Sequence, residues 1–275
     1  MLNTELSGGQ LRGGDVSTES GTEAGTPGPT RRERNRAATI AEIKEIGLQR
    51  MHESGTTDVR FAEIAREMGM TAPGLYRYFA SREELLTALI VDAFDDLGTA
   101  VADAREAQPE GDLWGRLLAT SAAYRDWARR EPQQFSLIFG MPVPGYRAPD
   151  EGPTTEAAKR AMGQLQTTFI EAARLGKLVP PLLDGVDEAF VKGINEAHKF
   201  DHLMPDAWDG DRTEVAEALT PATMQAMLMF WAALHGFVTL HAYGHLEWLG
   251  EAAQEALFRS TVEQGARCAG LPTAP

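Results

Sequence analysis

The sequence predicts an all-α protein made of two helical domains. From about residue 35 to residue 268 apolar residues recur every three to four positions, which is the period of helices with one buried face. No stretch combines apolar and polar alternation with the β-branched enrichment typical of strands. The chain has 275 residues, of which 43% are hydrophobic, so it is long enough for one large core and a smaller second domain.

The N-terminal segment and the cysteine content favour a cytoplasmic protein. Residues 1–30 are rich in Gly, Ser, Thr, Glu and Pro, which is typical of a disordered tail, and they lack the apolar run of a secretory signal. Residues 224–240 form the longest apolar stretch, but His235 and Gly236 interrupt it, so no membrane partner is expected. Cys268 is the sole cysteine, which excludes an internal disulfide and fits a reducing compartment.

Charge is distributed unevenly along the chain. The net charge is −14, which taken alone disfavours a polyanionic partner. Residues 30–90 nevertheless carry +1, whereas residues 1–29 carry −3 and residues 91–275 carry −12. Four arginines lie within six positions: Arg31, Arg32, Arg34 and Arg36. We therefore expect an anion to approach this end of the molecule.

Three helices are predicted in the N-terminal third. The first ends at a Ser54-Gly55 stop signal, and the second covers about residues 61–68 and ends at Gly69. Thr71 is expected to cap a third helix over residues 71–79, with Pro73 in its first turn. Two short helices joined by a glycine-containing turn, after a longer helix, are typical of a helix-turn-helix unit.

A fourth helix is predicted to begin at Ser81, where Glu84 completes a capping box, and to continue to about Ala107. Further helical patterns cover about residues 113–130, 133–139, 155–175, 187–202, 221–243 and 249–268, with loops at 140–153 and 204–212. We divide the chain into a tail (1–30), a helix-turn-helix domain (31–80) and a larger helical domain (81–275), in which residues 81–107 form a connecting helix.

Residues 61–86 resemble the DNA-binding segment of the tetracycline-repressor (TetR) family of bacterial transcriptional regulators. The matching positions, in order, are Ile64-Ala65, Gly69, Leu75-Tyr76, Phe79, Ser81 and Leu85. Trp231, His235 and Gly236 resemble a WHG-type signature found in one branch of TetR-type regulatory domains. The resemblance implies a DNA-binding regulator with a C-terminal domain for dimerisation and effector binding.

The third helix carries a surface suited to the DNA major groove. Its first residues are small, and Arg77 has a guanidinium that fits phosphate or guanine. The resemblance implies that Tyr76 and Tyr78 bind phosphate and that Arg82 replaces a basic residue, usually Lys. Arg60 stands where the family commonly has a capping Ser or Thr and could itself bind phosphate. The predicted DNA-binding residues are Arg36, Arg60, Thr71, Ala72, Pro73, Gly74, Tyr76, Arg77, Tyr78 and Arg82.

Two of these assignments have plainer alternatives. Tyr76 could belong to the core, but two tyrosines on either side of Arg77 leave too much polar surface for a buried segment. The arginines at 31–36 are equally well explained as a solvated basic tail and as an arm that follows the DNA backbone or enters the minor groove.

The C-terminal domain has two predicted roles. The last two helices carry large apolar residues on more than one face, which indicates a two-fold homodimer through a four-helix bundle and, with it, a palindromic double-stranded operator. Other large side chains are of the types that line a pocket for a small hydrophobic effector, although simple core packing explains most of them equally well. These candidates are Trp114, Tyr124, Trp127, Phe135, Phe139, Phe169, Met227 and Trp231.

The function predicted from these features is a ligand-released homodimeric repressor. An activator, and an architectural DNA-binding protein without an effector, are the alternatives. No nucleotide-binding or nucleophile motif is present, so neither an enzyme nor a cofactor is expected. The pairs His198/His202 and His241/His245 have the spacing of shared metal ligands, but no third ligand lies at a fixed offset, so no metal is predicted. His235 is expected to be a hydrogen-bonded core residue.

Overall fold

The computed structural model describes residues 30–57, 59–143, 145–147, 151–196 and 217–273, and all regular secondary structure within these ranges is α-helical. The predicted disordered tail, the His198/His202 pair and the loop at 204–212 lie outside the described residues. The chain divides into two compact units, residues 1–39 and residues 40–275. The described part of the first unit is the beginning of helix α1.

Helix α1 (Arg31–Ser54) begins earlier than the periodicity predicts. Thr30 Oγ1 accepts a hydrogen bond from the Glu33 backbone N–H at 3.3 Å, and Glu33 Oε2 accepts one from the Thr30 N–H at 2.7 Å. This reciprocal capping box satisfies two backbone donors that would otherwise lack partners. The arginines at 31–36 are therefore helical, which corrects the interpretation of these residues as a tail.

Helices α2 (Phe61–Glu67) and α3 (Ala72–Leu75) form the predicted helix-turn-helix. Gly69 ends α2 with a φ of 64°, a left-handed conformation that suits glycine because it has no Cβ. The α-helical part of α3 is shorter than the predicted range 71–79. Beyond Leu75 the backbone continues as a turn, in which the Tyr78 N–H donates to the Leu75 carbonyl at 2.9 Å.

Gly74 contributes to the short length of α3, because glycine is a weak helix former. Pro73 lies in the first turn, where a missing N–H costs no intrahelical hydrogen bond. The expected side-chain cap is also wrong, because Thr71 occupies the N-cap position without a capping hydrogen bond from its side chain.

Helix α4 (Arg82–Glu106) begins at the predicted capping box. Ser81 Oγ accepts from the Glu84 N–H at 3.2 Å, and the Glu84 carboxylate accepts from the backbone N–H of Ala80. The helix ends one residue before the predicted Ala107. The remaining described helices are α5 (Leu113–Arg130), α6 (Pro132–Phe139), α7 (Pro153–Arg174), α8 (Glu188–Glu196), α9 (Pro221–Ala242) and α10 (Glu251–Cys268).

Helix α4 is the central helix of residues 40–275, and it packs most extensively against α7 and α5. Helix α9 packs against α10 and α5. Gly98 of α4 permits a close approach to α7, because a Cβ at this position would lie 3.4 Å from the Ala161 Cα. Two helices with a small residue at their crossing point bring their backbones nearer than larger side chains would allow.

Two hydrophobic clusters make up the core. The first joins the helix-turn-helix to the first half of α4, and it extends to Leu137 of α6 and Ala161 of α7. The second lies among α5, α7, α9 and α10 and includes Trp127 and Phe169. Met162 packs against both clusters. The core beneath α3 and the larger core are therefore connected through α4, α6 and α7.

Helix α9 is long and apolar enough to cross a membrane when judged by length and composition alone, with a mean hydropathy of 1.3 over its most apolar window. This differs from the sequence argument, in which the interruption at His235 and Gly236 excludes a membrane span. In the fold 44% of that window is buried, with Phe230 and Leu234 among the core residues. A helix that buries one apolar face in the core and carries further apolar residues on its surface can have the same composition as a membrane span.

Candidate functional site

The turn that follows α3 presents its polar side chains outward, as predicted. Leu75 (0% exposed) and Phe79 (5%) hold this segment on the core. Tyr76 is 53% exposed, Arg77 is exposed and Tyr78 is half-buried. Two buried anchors four positions apart therefore leave Tyr76 and Arg77 accessible, whereas Tyr78 packs partly against the core.

The beginning of α3 is also accessible. Thr71 and Pro73 are exposed, and Ala72 and Gly74 are half-buried. Their small side chains leave room for the edge of a DNA groove to approach the protein backbone.

The Tyr76 ring packs against the ring of Phe61 on α2. Its centroid lies 5.1 Å from that of Phe61 at an interplanar angle of 51°, a tilted arrangement that favours contact between aromatic rings. This contact with α2 orients the phenol without burying it.

The three predicted arginines outside α3 occupy different environments. Arg60 is exposed and forms an ion pair with Glu63 at 3.3 Å. Arg82 is half-buried, and its Nε–H donates to the Val59 carbonyl at 3.1 Å, so it fastens the start of α4 to the segment before α2. Sequence analysis did not predict this structural contact. Arg36 is exposed on α1, within the first compact unit.

A cavity of about 190 Å³ lies among α5, α7 and α9. Three of the predicted effector residues line it, namely Phe169, Met227 and Trp231. The remaining lining residues are Leu117, Thr120, Ser121, Met162, Leu165, Gln166, Met224, Leu228, Phe230 and Leu234. Thr120, Ser121 and Gln166 were not predicted, because a polar residue within an apolar helix gives no sign in the sequence of what it faces.

The other five predicted effector residues lie outside the lining of this cavity. Tyr124, Trp127 and Phe135 are almost completely buried in the larger core, and Trp114 and Phe139 pack against it. The Trp127 indole N–H donates to Asp96 Oδ2 at 2.7 Å, which connects α5 to α4.

An aromatic cluster adjoins the cavity. Trp231 lines the cavity and stacks on His235, with ring centroids 4.9 Å apart, and on Tyr124, with centroids 5.6 Å apart. The Tyr124 hydroxyl lies 2.6 Å from His235 Nδ1. His235 is therefore hydrogen-bonded and packed among aromatic rings, as expected. Burial raises the pKa of Tyr124 and lowers that of His235, because each group loses solvation of its charged form.

The His241/His245 pair was considered as a metal site on spacing alone. Burial, followed by the positive charges of Arg129 and Arg125, lowers the pKa of His241. Within the described ranges no group of three or more His, Cys, Asp or Glu side chains has the geometry to hold a metal ion.

Two family models match the chain. Residues 47–89 match the model described as bacterial regulatory proteins, tetR family, and residues 117–264 match the tetracyclin repressor-like C-terminal domain. The second match alone covers more than half of the chain. The chain belongs to the TetR family. It contains the N-terminal domain of this family of bacterial regulatory proteins, and the sequence resemblance is confirmed.

TetR relatives of this chain include curated mycobacterial regulators. The HTH-type transcriptional regulator Rv1816 of Mycobacterium tuberculosis (strain ATCC 25618 / H37Rv) is 38% identical over 137 residues, which cover 50% of this chain and 56% of the relative. The HTH-type transcriptional activator FasR of Mycolicibacterium smegmatis (strain ATCC 700084 / mc(2)155) is 26% identical over 136 residues, 50% of this chain and 58% of the relative. The chain thus spans little more than half the length of these relatives.

A solved structure shares the fold over most of the chain. The crystal structure of SCO4313, described as a regulatory protein, is 31% identical with a TM-score of 0.63. The match covers 86% of this chain and 98% of that chain. The predicted all-α fold, with an N-terminal helix-turn-helix and a larger helical domain, is confirmed.

Proposed function

We propose that this TetR-family regulator is a cytoplasmic homodimeric repressor that leaves a palindromic operator when a small effector binds its cavity. The observation that carries the proposal is the outward presentation of Tyr76 and Arg77, on a segment that Leu75 and Phe79 anchor to the core. A helix-turn-helix needs an apolar underside and an accessible polar surface to enter the major groove.

The contacts with DNA divide into two classes. Tyr76 and Tyr78 bind phosphate, where a neutral hydroxyl contributes to position rather than to sequence preference. Arg77 contacts base edges, because its guanidinium matches the two acceptors of guanine. The small residues of α3 (71–74) allow close approach, and the arginines before α2, at the start of α4 and on α1 add contacts to the backbone: Arg60, Arg82 and Arg36.

Exposed apolar side chains on α9 and α10 support the dimer. Leu228 is 41% exposed, Met229 51% and Leu240 45% on α9, and Leu257 is 42% exposed on α10. Large apolar residues that remain uncovered on the last two helices are typical of a homodimer surface. A two-fold axis at these helices would present two copies of α3 to successive half-sites of a palindrome.

The cavity is connected to the DNA-binding core by packed side chains. Met162 lines the cavity and also packs against the cluster beneath α3. It follows Ala161, which contacts Gly98 of α4. An effector that displaces α7 would move α4 and change the separation of the two recognition segments. It releases DNA only if it binds the released arrangement more tightly than the DNA-bound one.

Phe169, Met227 and Trp231 contact the effector in this proposal. The other predicted effector residues (Trp114, Tyr124, Trp127, Phe135 and Phe139) surround the cavity as core. This assignment rests on the mostly apolar lining of the cavity, which is typical of sites for small ligands.

A mobility-shift assay on DNA that flanks the protein's own gene tests the proposal. We expect the wild-type chain to retard this DNA, and a variant that combines Tyr76→Phe with Arg77→Ala to retard it at least tenfold more weakly. Equal retardation by the two proteins would contradict the assignment of this surface.

An activator is the second candidate, because the relative FasR is named as one. Reporter expression from the regulated promoter, measured in strains with and without the regulator, distinguishes an activator from a repressor. Deletion of a repressor raises reporter expression, whereas deletion of an activator lowers it.

A further inference from the structure

The cavity wall contains three polar side chains whose oxygens make no hydrogen bond. Thr120 Oγ1, Ser121 Oγ and Gln166 Oε1 are buried and have no partner within the described part of the chain. Thr120 and Ser121 are each 1% exposed. Burial of a hydroxyl or an amide without a partner is costly. Three such groups around one space therefore indicate a polar group on the molecule that fills it.

The chemistry of the wall restricts the charge of that molecule. Apart from Thr120, Ser121 and Gln166, the lining residues that the structure describes are apolar, and none of these described residues is ionisable. A carboxylate or an ammonium group would lose its hydration there without gaining an opposite charge, which is strongly unfavourable. An uncharged molecule avoids this cost.

The pattern of donors and acceptors specifies the polar group further. The hydroxyls of Thr120 and Ser121 each donate one hydrogen bond and also accept, whereas Gln166 Oε1 only accepts. A ligand group that donates to Gln166 Oε1 and accepts from the two hydroxyls uses the hydrogen-bonding capacity of all three side chains. A hydroxyl is the smallest group that does so.

The size of the cavity limits the rest of the molecule. Its volume is about 190 Å³, less than the roughly 300 Å³ at which sites for drug-sized ligands begin. A dry apolar cavity of roughly 150 Å³ is sufficient for benzene. One six-membered ring with a small substituent therefore fills a volume of this size.

We propose that the cavity binds an uncharged molecule of one apolar ring that carries a hydroxyl group, and that Thr120, Ser121 and Gln166 recognise this hydroxyl. The proposal rests on the proposed function, in which this cavity is the effector site. It adds the chemical class of the effector and the residues that determine it.

Calorimetric titration of the full-length chain, without DNA, tests the ligand class. The probes are alcohols paired with hydrocarbons of similar shape: phenol with toluene, para-cresol with para-xylene, and benzyl alcohol with ethylbenzene. Benzoate is the charged comparison. For at least one pair we expect the alcohol to bind about three- to tenfold more tightly than its hydrocarbon, the ratio that one net hydrogen bond provides. Benzoate is expected to bind more weakly than that alcohol.

Conservative variants locate the effect. Thr120→Val, Ser121→Ala and Gln166→Met remove the polar groups with little change of volume, so each should reduce the ratio of alcohol to hydrocarbon affinity towards one. Thr168→Val is the matched control, because Thr168 Oγ1 is also buried without a partner but does not line the cavity. It should leave the ratio unchanged. Thermal unfolding of each variant verifies that the chain is folded.

Each of three results would overturn the ligand class. In the first, no alcohol binds more tightly than its hydrocarbon partner, which includes the case in which no alcohol binds. In the second, benzoate is the probe that binds most tightly, and in the third, the cavity variants and Thr168→Val have the same ratio of alcohol to hydrocarbon affinity. A failure of the proposed function looks different. In that case an alcohol binds with the expected ratio, but the mobility shift of operator DNA is the same with and without it.

Discussion

The Tyr124 hydroxyl lies 2.6 Å from His235 Nδ1 and joins α5 to α9 beside the cavity. Because burial raises the pKa of Tyr124, the phenol stays protonated. Its O–H can therefore donate a hydrogen bond to the ring nitrogen. Because burial lowers the pKa of His235, the imidazole is neutral near pH 7. In the tautomer that leaves Nδ1 without a proton, this nitrogen accepts the hydrogen bond from the phenol. Two neutral groups thus share one hydrogen bond at a place where a charge would be poorly solvated.

This pair predicts a loss of stability in mild acid. The unfolded chain takes up a proton at His235 near the ordinary pKa of 6.5, whereas the folded chain does so only at a lower pH. The contribution of His235 to stability is therefore complete above about pH 6.5 and decreases as the pH falls from there towards the lowered pKa. The midpoint of thermal unfolding, measured from pH 8 to pH 5, should fall less steeply for His235→Gln than for the wild type. His52→Gln, a change at an exposed histidine on α1, should leave the slope as it is. Parallel curves for the wild type and His235→Gln would contradict this account.

Substitutions on the turn after α3 should distinguish contacts to DNA phosphates, which do not depend on base sequence, from contacts to base edges, which do. Tyr76→Phe removes one hydroxyl and should weaken binding by about 0.5–1.5 kcal/mol on every duplex. Arg77→Ala should cost about 1–3 kcal/mol on the preferred operator and less on duplexes altered at the contacted base pair. Fluorescence anisotropy on a set of single-base operator variants measures both effects. Arg174→Ala, which removes an exposed positive charge at the end of α7, is the control. A uniform loss for Arg77→Ala would assign this residue to phosphate.

The exposed apolar face of α9 should hold the dimer together. Met229→Glu places a carboxylate at a residue that is 51% exposed in one chain and buried in the proposed interface, where an unpaired charge costs several kcal/mol. Light scattering should therefore report half the wild-type mass. Met141→Glu changes a methionine that is 86% exposed outside α9 and α10, and its mass should be that of the wild type. Trp231 is a poorer site for this test, because its ring stacks on Tyr124 and His235. An unchanged mass for Met229→Glu would remove this residue from the interface.

The crossing of α4 and α7 should tolerate only small residues at Gly98. An added Cβ would lie 3.4 Å from the Ala161 Cα, so we expect Gly98→Ala to change the free energy of unfolding by no more than about 0.5 kcal/mol. Gly98→Leu should lower it by about 1–3 kcal/mol, because the larger side chain forces the helices apart. Gly193→Leu on α8, where a Cβ would meet no atom within 4 Å, is the matched control. Urea unfolding measures all three. If Gly98→Leu and Gly193→Leu lower the free energy of unfolding by the same amount, the close approach of α4 and α7 does not limit the size of the side chain at position 98.

The features that sequence reasoning predicted well are local. The Ser81–Glu84 cap, the stop at Gly69 and the anchors Leu75 and Phe79 each depend on residues within four positions of one another, and the structure contains all of them. The helical state of residues 31–36 also has a local cause, the Thr30–Glu33 box. The sequence analysis did not recognise this box, because the arginines that follow it have no apolar periodicity.

The sequence by itself determined that the chain is helical, that a helix-turn-helix lies near its N-terminal end, and that the side chains after α3 divide into buried anchors and an outward polar group. Period and capping specify which face of a helix is apolar. They do not specify which other helix covers that face. Only the tertiary structure decided that Thr120 on α5 and Gln166 on α7 share one cavity wall, that Trp127 reaches Asp96, and that Tyr124 meets His235. These pairs lie 31 to 111 positions apart, and such contacts arise only when separate helices pack together.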